Sequence, residues 1–293
     1  MDKKQNLLAW GLLLVLAAIW GSSFILIKKA LLVYSAGEVG ALRIVSAYLF
    51  LLPLALSSFK KIRRKHWAVL ISVGFVGSLI PSFLFAIAQT RIPSSVAGIL
   101  NALTPLFTLI LGALLFAQQV VARKFAGVIL GFLGCGILIF AGSSGNIGFN
   151  AYALLVVLAT LFYSINLNLI KFKLAELNAR TITSLSLFLV GPVATIYLLF
   201  FTGFTGKIGV IEGSYPALGA VALLGILGTA IALILFNQLV KITSPLFTSS
   251  VTYIIPIVAV VWGLIDDERL YSGHYLGMIF IITGVYLANK AGK

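Results

Sequence analysis

Of the chain's 293 residues, 61% are hydrophobic and 10% are charged, too few polar side chains to cover a soluble domain of that length. A net charge of +14 would suit nucleic acid, but the basic residues stand in short connectors between apolar runs, the pattern of membrane topology, and no nucleic-acid partner is expected. The single cysteine, Cys135, excludes an intrachain disulfide and a cysteine metal cluster.

The uncharged runs predict an all-α membrane protein with ten transmembrane helices, near residues 8–27, 37–57, 67–88, 95–116, 125–142, 150–170, 181–202, 215–238, 246–265 and 273–289. Continuous rather than alternating apolarity selects helices over barrel strands. Lys3 and Lys4 precede the first run, but Leu7 to Ile27 is too long for the apolar core of a signal peptide, so it is expected to remain as a span.

Trp20 and Ser23 stand near the end of the first span. Arg43 lies about 10 Å inside the second at 1.5 Å per residue. A charge at that depth costs at least ~2.5 kcal/mol unless it faces protein or a wet cavity. It either holds an anionic group of a substrate or ties helix ends together through backbone carbonyls. Glu38 lies five positions earlier, near the outer boundary and on a different helix face.

The third span ends at Gln89, and the fourth contains Asn101 and Pro105. Gly127, Gly131 and Gly134 form a small-residue stripe on the fifth, matched by Gly277 and Gly284 on the tenth. Such stripes serve packing within the chain or a weak homodimer. Tyr163, Asn166 and Asn168 fall in the sixth span, Gln238 closes the eighth, and Tyr253 and Pro256 lie in the ninth. At least one of the two asparagines is open to use as a helix–helix hydrogen bond. Trp20 and Tyr163 are either interfacial anchors or cavity lining. Pro105 and Pro256 each remove a backbone donor and free the carbonyl four residues earlier, at Asn101 and Thr252, which fits either a gating bend or a static kink.

With the amino terminus inside, fifteen Lys and Arg residues fall on the cytoplasmic side and five outside, so both termini are expected in the cytoplasm and the chain in the inner membrane. The sequence also repeats. Ala88 to Leu138 parallels Leu239 to Ala288, with Arg91 against Lys241, Pro105 against Pro256, Gly112 against Gly263 and Gly134 against Gly284. Trp20-Gly21-Ser22-Ser23 with Lys28 parallels Tyr163-Ser164-Ile165-Asn166 with Lys171. Five spans per copy is an odd number, so residues 1–144 and 145–293 are predicted to form two inverted five-helix repeats.

The sequence resembles the EamA family of the drug/metabolite transporter superfamily over nearly its whole length. The resemblance rests on Ile19-Trp20-Gly21-Ser22-Ser23-Phe24, Leu42-Arg43 with Ala47, Pro105, Pro256, and Asp267-Glu268-Arg269-Leu270. Gln118 departs from it, standing where that family usually has a glutamate. The resemblance implies ten helices, a central cavity between the halves, and movement of small metabolites.

No hydrolytic, redox or phosphate-binding motif appears, His66 and His274 fall at opposite faces, and neither enzyme activity nor a cofactor is expected. The leading expectation is a secondary transporter for amino acids or related amphiphiles, working by alternating access and exporting them. The competing one is a channel-like or lipid-handling protein of flippase type. Trp20, Ser23, Arg43, Gln89, Asn101, Tyr163, Asn166, Gln238 and Tyr253 are the candidate substrate-binding residues, with Pro105 and Pro256 as gating candidates. The expected partners are the substrate and membrane lipid, and the chain is expected as a monomer or weak homodimer. No Asp or Glu lies deep in a span, so carboxylate-based proton coupling has little support and facilitated diffusion stays open.

Overall fold

In lipid a backbone must satisfy its own polar groups, and the computed structural model answers that demand with helices alone; no strand occurs among the described residues. Those residues are 3–116, 122–140, 149–243 and 251–290. The connector at Ala117-Gln118-Gln119 therefore lies outside them.

The first helix, α1 (Lys3–Ala30), runs without interruption. Helix α2 (Ala36–Ser58) opens with a capping box in which Ser35 Oγ accepts from the Glu38 amide and Glu38 accepts from the Ser35 amide. The third segment is α3 (Trp67–Gly74), a π-turn (Phe75–Leu79) and α4 (Ile80–Ala88). The fourth is α5 (Ser94–Asn101) and α6 (Thr104–Phe116), followed by α7 (Ala122–Phe140).

Helix α8 (Ala151–Lys173) is capped by Asn150, and α9 (Ala179–Phe200) by Asn178. The next segment repeats the form of the third: α10 (Ser214–Gly225), a π-turn (Ile226–Ile231) and α11 (Ala232–Ile242). Helices α12 (Val251–Ile265) and α13 (Ser272–Lys290) complete the bundle. Among the described residues seven segments are long and apolar enough to cross a membrane, and the stretches Ala126–Phe140, Ile254–Ile265 and Ser272–Leu287 are shorter apolar helices.

The two prolines predicted to act alike differ in their surroundings. Before Pro105 the chain leaves helical form at Ala102 and Leu103, and the freed Asn101 carbonyl accepts from Thr104 Oγ1 at 2.8 Å. Pro256 instead sits inside α12, which stays helical on both sides of it.

Glycines set which helices touch. A Cβ on Gly134 would fall 2.7 Å from the Gly277 carbonyl, and one on Gly284 would fall 2.5 Å from the Gly131 amide. The stripes of α7 and α13 thus bring these two helices together backbone to backbone. Helix α2 packs on α9, and α1 on α12. Helices α1, α2, α4, α5, α6, α8, α11 and α12, with the two π-turns, surround the middle of the bundle, where the cavity lies.

Candidate functional site

A cavity of about 130 Å³ opens between these helices. Its polar groups come from a few places: Trp20 and Ser23 on α1, Arg43 on α2, Asn101 at the end of α5, Tyr163 and Asn166 on α8, and Ser78 and Thr229 in the two π-turns. Phe24, Phe85 and Phe236 supply the apolar walls.

Arg43 has a specific seat. Its Nε donates to Thr229 Oγ1 at 2.9 Å, and Thr229 Oγ1 in turn donates to the Leu224 carbonyl at 3.3 Å, five residues back across the π-turn. With its proton committed to Leu224, the hydroxyl can only accept from the guanidinium. The side chain is 8% exposed, yet among the described residues no carboxylate forms an ion pair with it. An enclosed, uncompensated positive charge is the dominant electrostatic feature of the site.

The aromatic groups are held from both sides. Trp20 Nε1 donates to the Gly228 carbonyl at 3.1 Å, and its ring meets Phe236 at 5.1 Å. Tyr163 stacks on Phe85 with ring centres 5.9 Å apart. Ser23 Oγ donates to its own helix at the Ile19 carbonyl, 2.9 Å away. Among the described residues Asn101 Oδ1 and Asn166 Oδ1 have no hydrogen-bond partner, and Asn166 is 7% exposed.

Asn168 has the other fate open to a buried amide. Its Nδ2 donates to the carbonyls of Thr108, at 3.3 Å, and Ser164, at 2.9 Å. Ser164 Oγ reaches the Thr104 carbonyl at 2.8 Å, so α8 and α6 are joined at two successive turns.

Two candidate residues stand apart from the cavity. Gln238 is exposed, and its neighbour Asn237 lines the cavity instead, with Nδ2 donating to Thr183 Oγ1 at 3.3 Å. Gln89 is buried, but outside the lining, and neither of its amide atoms has a partner among the described residues. Gln89 lies one turn beyond the lining residue Phe85 on the same helix face, at the helix end, and Gln238 lies one position past the lining residue Asn237, about 100° around the helix. Tyr253 lies on α12, and its side chain is outside those described.

The sequence reading missed Thr229, Ser78 and the glycines beside them. Their signal was present: Gly74-Phe75-Val76-Gly77-Ser78 and Gly225-Ile226-Leu227-Gly228-Thr229 are the same pattern. Each first glycine lets its helix lie on a neighbouring backbone: an added Cβ would fall 2.6 Å from the Ser186 carbonyl at Gly74 and 2.6 Å from the Arg43 carbonyl at Gly225. Each second glycine makes room for a cavity residue: a Cβ would lie 2.5 to 2.7 Å from the Asn166 amide atoms at Gly77, and 2.8 Å from Ser23 Oγ at Gly228.

One end of the bundle is tied by charge. Glu268, in the connector after α12, accepts from the Ser94 amide (2.9 Å) and hydroxyl (2.7 Å) and from the Ser95 amide (3.0 Å) and hydroxyl, capping the start of α5. Lys28, in the last turn of α1, lies 2.9 Å from Glu268 and 2.7 Å from Asp266, and Lys29 also pairs with Asp266. Burial alone would push the Glu268 carboxyl up, but the hydrogen bonds from Ser95, Lys28 and Ser94 outweigh it and hold it at about 2. Nearby, Lys207 Nζ pairs with the buried Glu38 at 2.6 Å. At the other end, Lys65 and His66 both meet Glu176, whose carboxyl they hold at about 2. Among the described residues no group of His, Cys, Asp and Glu is arranged to hold a metal ion.

The sequence profile described as the EamA-like transporter family matches residues 8–140 and again 150–290. An uncharacterized transporter of Archaeoglobus fulgidus is 26% identical over 95% of this chain and 97% of its own length. The uncharacterized inner membrane transporter YedA of Escherichia coli K12 is 24% identical over 98% and 92%, and the uncharacterized transporter YvbV of Bacillus subtilis is 23% identical over 96% and 92%. A solved crystal structure superposes with a TM-score of 0.65 over the full length of both chains at 14% identity, a likeness of fold.

Proposed function

Since this chain belongs to the EamA-like transporter family, we propose that it is a secondary carrier that moves small metabolites, such as amino acids or related amphiphiles, by alternating access through the central cavity. As a multi-pass membrane protein of a transporter family it has the membrane as its setting. The finer reading is ten spans in two inverted five-helix halves, residues 1–144 and 145–293, with both termini cytoplasmic and export as the direction.

One observation carries the proposal: the cavity walls come in pairs. The offset that takes Trp20 to Tyr163 takes Ser23 to Asn166, and the offset that takes Gly74 to Gly225 takes Gly77 to Gly228 and Ser78 to Thr229. The close approach of Gly77 to Asn166 thus has its counterpart in Gly228 and Ser23. A site built from equivalent elements of two halves suits a mechanism in which the halves exchange roles. Pro105 and Pro256 sit next to this site, at Asn101 and on α12, and are proposed as the bends that let it open.

Counterflow in proteoliposomes tests the reading. A carrier accelerates uptake of labelled substrate when unlabelled substrate is trapped inside, and vesicles loaded from one side only give the direction. Flux that never saturates would establish a channel, and movement of labelled phospholipid between leaflets a flippase; either result sinks the carrier.

A further inference from the structure

The cavity's charge balance narrows the substrate class, on the premise that this cavity is the transport site. Arg43 brings one positive charge, and its sole described hydrogen bond uses Nε. The two terminal nitrogens of the guanidinium form the fork that matches a carboxylate. No described carboxylate pairs with it, and the described lining of the cavity contains no Asp or Glu. An ionised group in such a place is costly until an anion meets it.

The position also breaks the pairing of the two halves. The offset that relates Trp20 to Tyr163 takes Arg43 to Ser186, whose hydroxyl donates to Thr183 and adds no charge. The positive charge is therefore on one wall only, and a bound molecule is oriented by it. Elsewhere in the lining, Asn101 Oδ1 and Asn166 Oδ1 are buried acceptors with no donor among the described residues. Leaving a buried acceptor unmet costs about 1–3 kcal/mol, so a ligand that brings a donor gains there. Size sets the remaining limit. A cavity of about 130 Å³ is close to the roughly 150 Å³ apolar cavity that accepts benzene, a molecule of six heavy atoms.

We propose that the site takes a small carboxylate of about this size with a hydrogen-bond donor on its second carbon, the carboxylate on Arg43 and the donor on the amide oxygen of Asn166 or Asn101. A 2-hydroxy acid and a 2-amino acid both carry that chemistry. Lactate and alanine are matched probes, and lactamide and alaninamide remove the negative charge with almost no change in shape.

Thermal unfolding of the purified full-length protein, read with each of the four probes, tests the assignment. Lactate, alanine or both should raise Tm, and the corresponding amide should need at least about tenfold more to do the same, a difference of 1.4 kcal/mol. Protection by lactate alone identifies the hydroxy acid, and by alanine alone the amino acid. Arg43→Gln should erase the preference for acid over amide. Arg43→Lys keeps the charge without the fork and should weaken acid binding while leaving the amides unchanged; it decides the matter if the glutamine variant does not fold. Equal protection by acids and amides, no protection by either acid, or an intact preference in the variants overturns the proposal. The same proteins in liposomes separate it from the carrier reading. Acid binding without exchange sinks the carrier and keeps the ligand class, whereas exchange of amides at the rate of acids does the reverse.

Discussion

Lys28 and Glu268 meet at 2.9 Å across 240 positions of sequence. The contact joins the last turn of α1 to the connector before α13, and the same carboxylate caps α5 through Ser94 and Ser95. Three segments distant in sequence are fixed to one side chain. In the proposed orientation this is the outer face of the protein. The corresponding connector of the first half reads Gln118-Gln119, so an equivalent tie at the inner face would have to do without the acid.

Glu268→Ala should lower Tm, because the first amides of α5 lose their acceptor and Lys28 loses a partner. Loss of such a cap costs about 0.5–2 kcal/mol. Asp267→Asn, one residue away at an exposed position with φ 57°, which Asn tolerates as Asp does, is the control and should leave Tm nearly unchanged. Thermal melts of the two variants in the same detergent make the comparison.

The pH dependence of that tie has a definite sign. Glu268 has a carboxyl near 4.5 in the unfolded chain and near 2 in the folded protein, so folding favours the ionised form. Its contribution is complete above pH 4.5 and disappears as pH falls towards 2. The Tm difference between the natural protein and Glu268→Gln should be constant from pH 8 to about 5 and shrink below it. A difference that shrinks on raising the pH would contradict the assignment.

Gly74 and Gly77 are three residues apart and should respond differently to alanine. At Gly74 the new Cβ meets the Ser186 backbone carbonyl at 2.6 Å, and backbone cannot turn aside. Overpacking of this kind costs about 1–3 kcal/mol, seen as a lower Tm. At Gly77 the Cβ meets the Asn166 side chain, which borders the cavity and can rotate into it. Gly77→Ala should keep more of its stability than Gly74→Ala and lose more of its exchange activity.

Asn166 and Asn168 separate binding from packing. Asn168→Leu removes the donors to Thr108 and Ser164 and should lower stability by roughly 0.6 kcal/mol, the average for such bonds in membranes, with exchange kinetics little changed. Asn166→Leu removes an amide whose oxygen has no partner among the described residues, so Tm should hold or rise while exchange falls. Melting curves and counterflow on both variants check the pair.

Glu38 is committed to the start of α2, where it completes the capping box and pairs with Lys207. Glu38→Gln should therefore lower Tm and leave the dependence of uptake on a pH gradient unchanged. Loss of gradient-driven uptake with exchange intact would instead make Glu38 the coupling group.

Much of the helical layout was legible because a span must be long and apolar, and those are properties of composition. The capping box of Ser35 and Glu38 is a local pattern too, but it was identified only in the structure. Trp20, Ser23, Arg43, Asn101, Tyr163 and Asn166 could be gathered as candidates because polar groups inside apolar runs are costly and stand out. Gln89 and Gln238 stood out equally, but Gln89 lies a turn beyond the lining residue Phe85 and Gln238 a position past Asn237, about 100° around the helix. Thr229 did not stand out, since a threonine satisfies itself on its own helix and looks ordinary in a span.

By itself, then, the sequence determined the helices, their apolar lengths, the repeated Gly-x-x-Gly pattern and the small set of polar groups inside the spans, because each follows from local composition and spacing. The tertiary structure decided which of those groups meet. It seated Arg43 on Thr229, gave Asn168 to α6 and buried the Asn166 oxygen beside the cavity without a described partner, and it brought Lys28 to Glu268. The physical reason is helix rotation. One residue turns a helix by about 100°, so π-turns and close glycine contacts, which shift register and separation, select the face that reaches the centre.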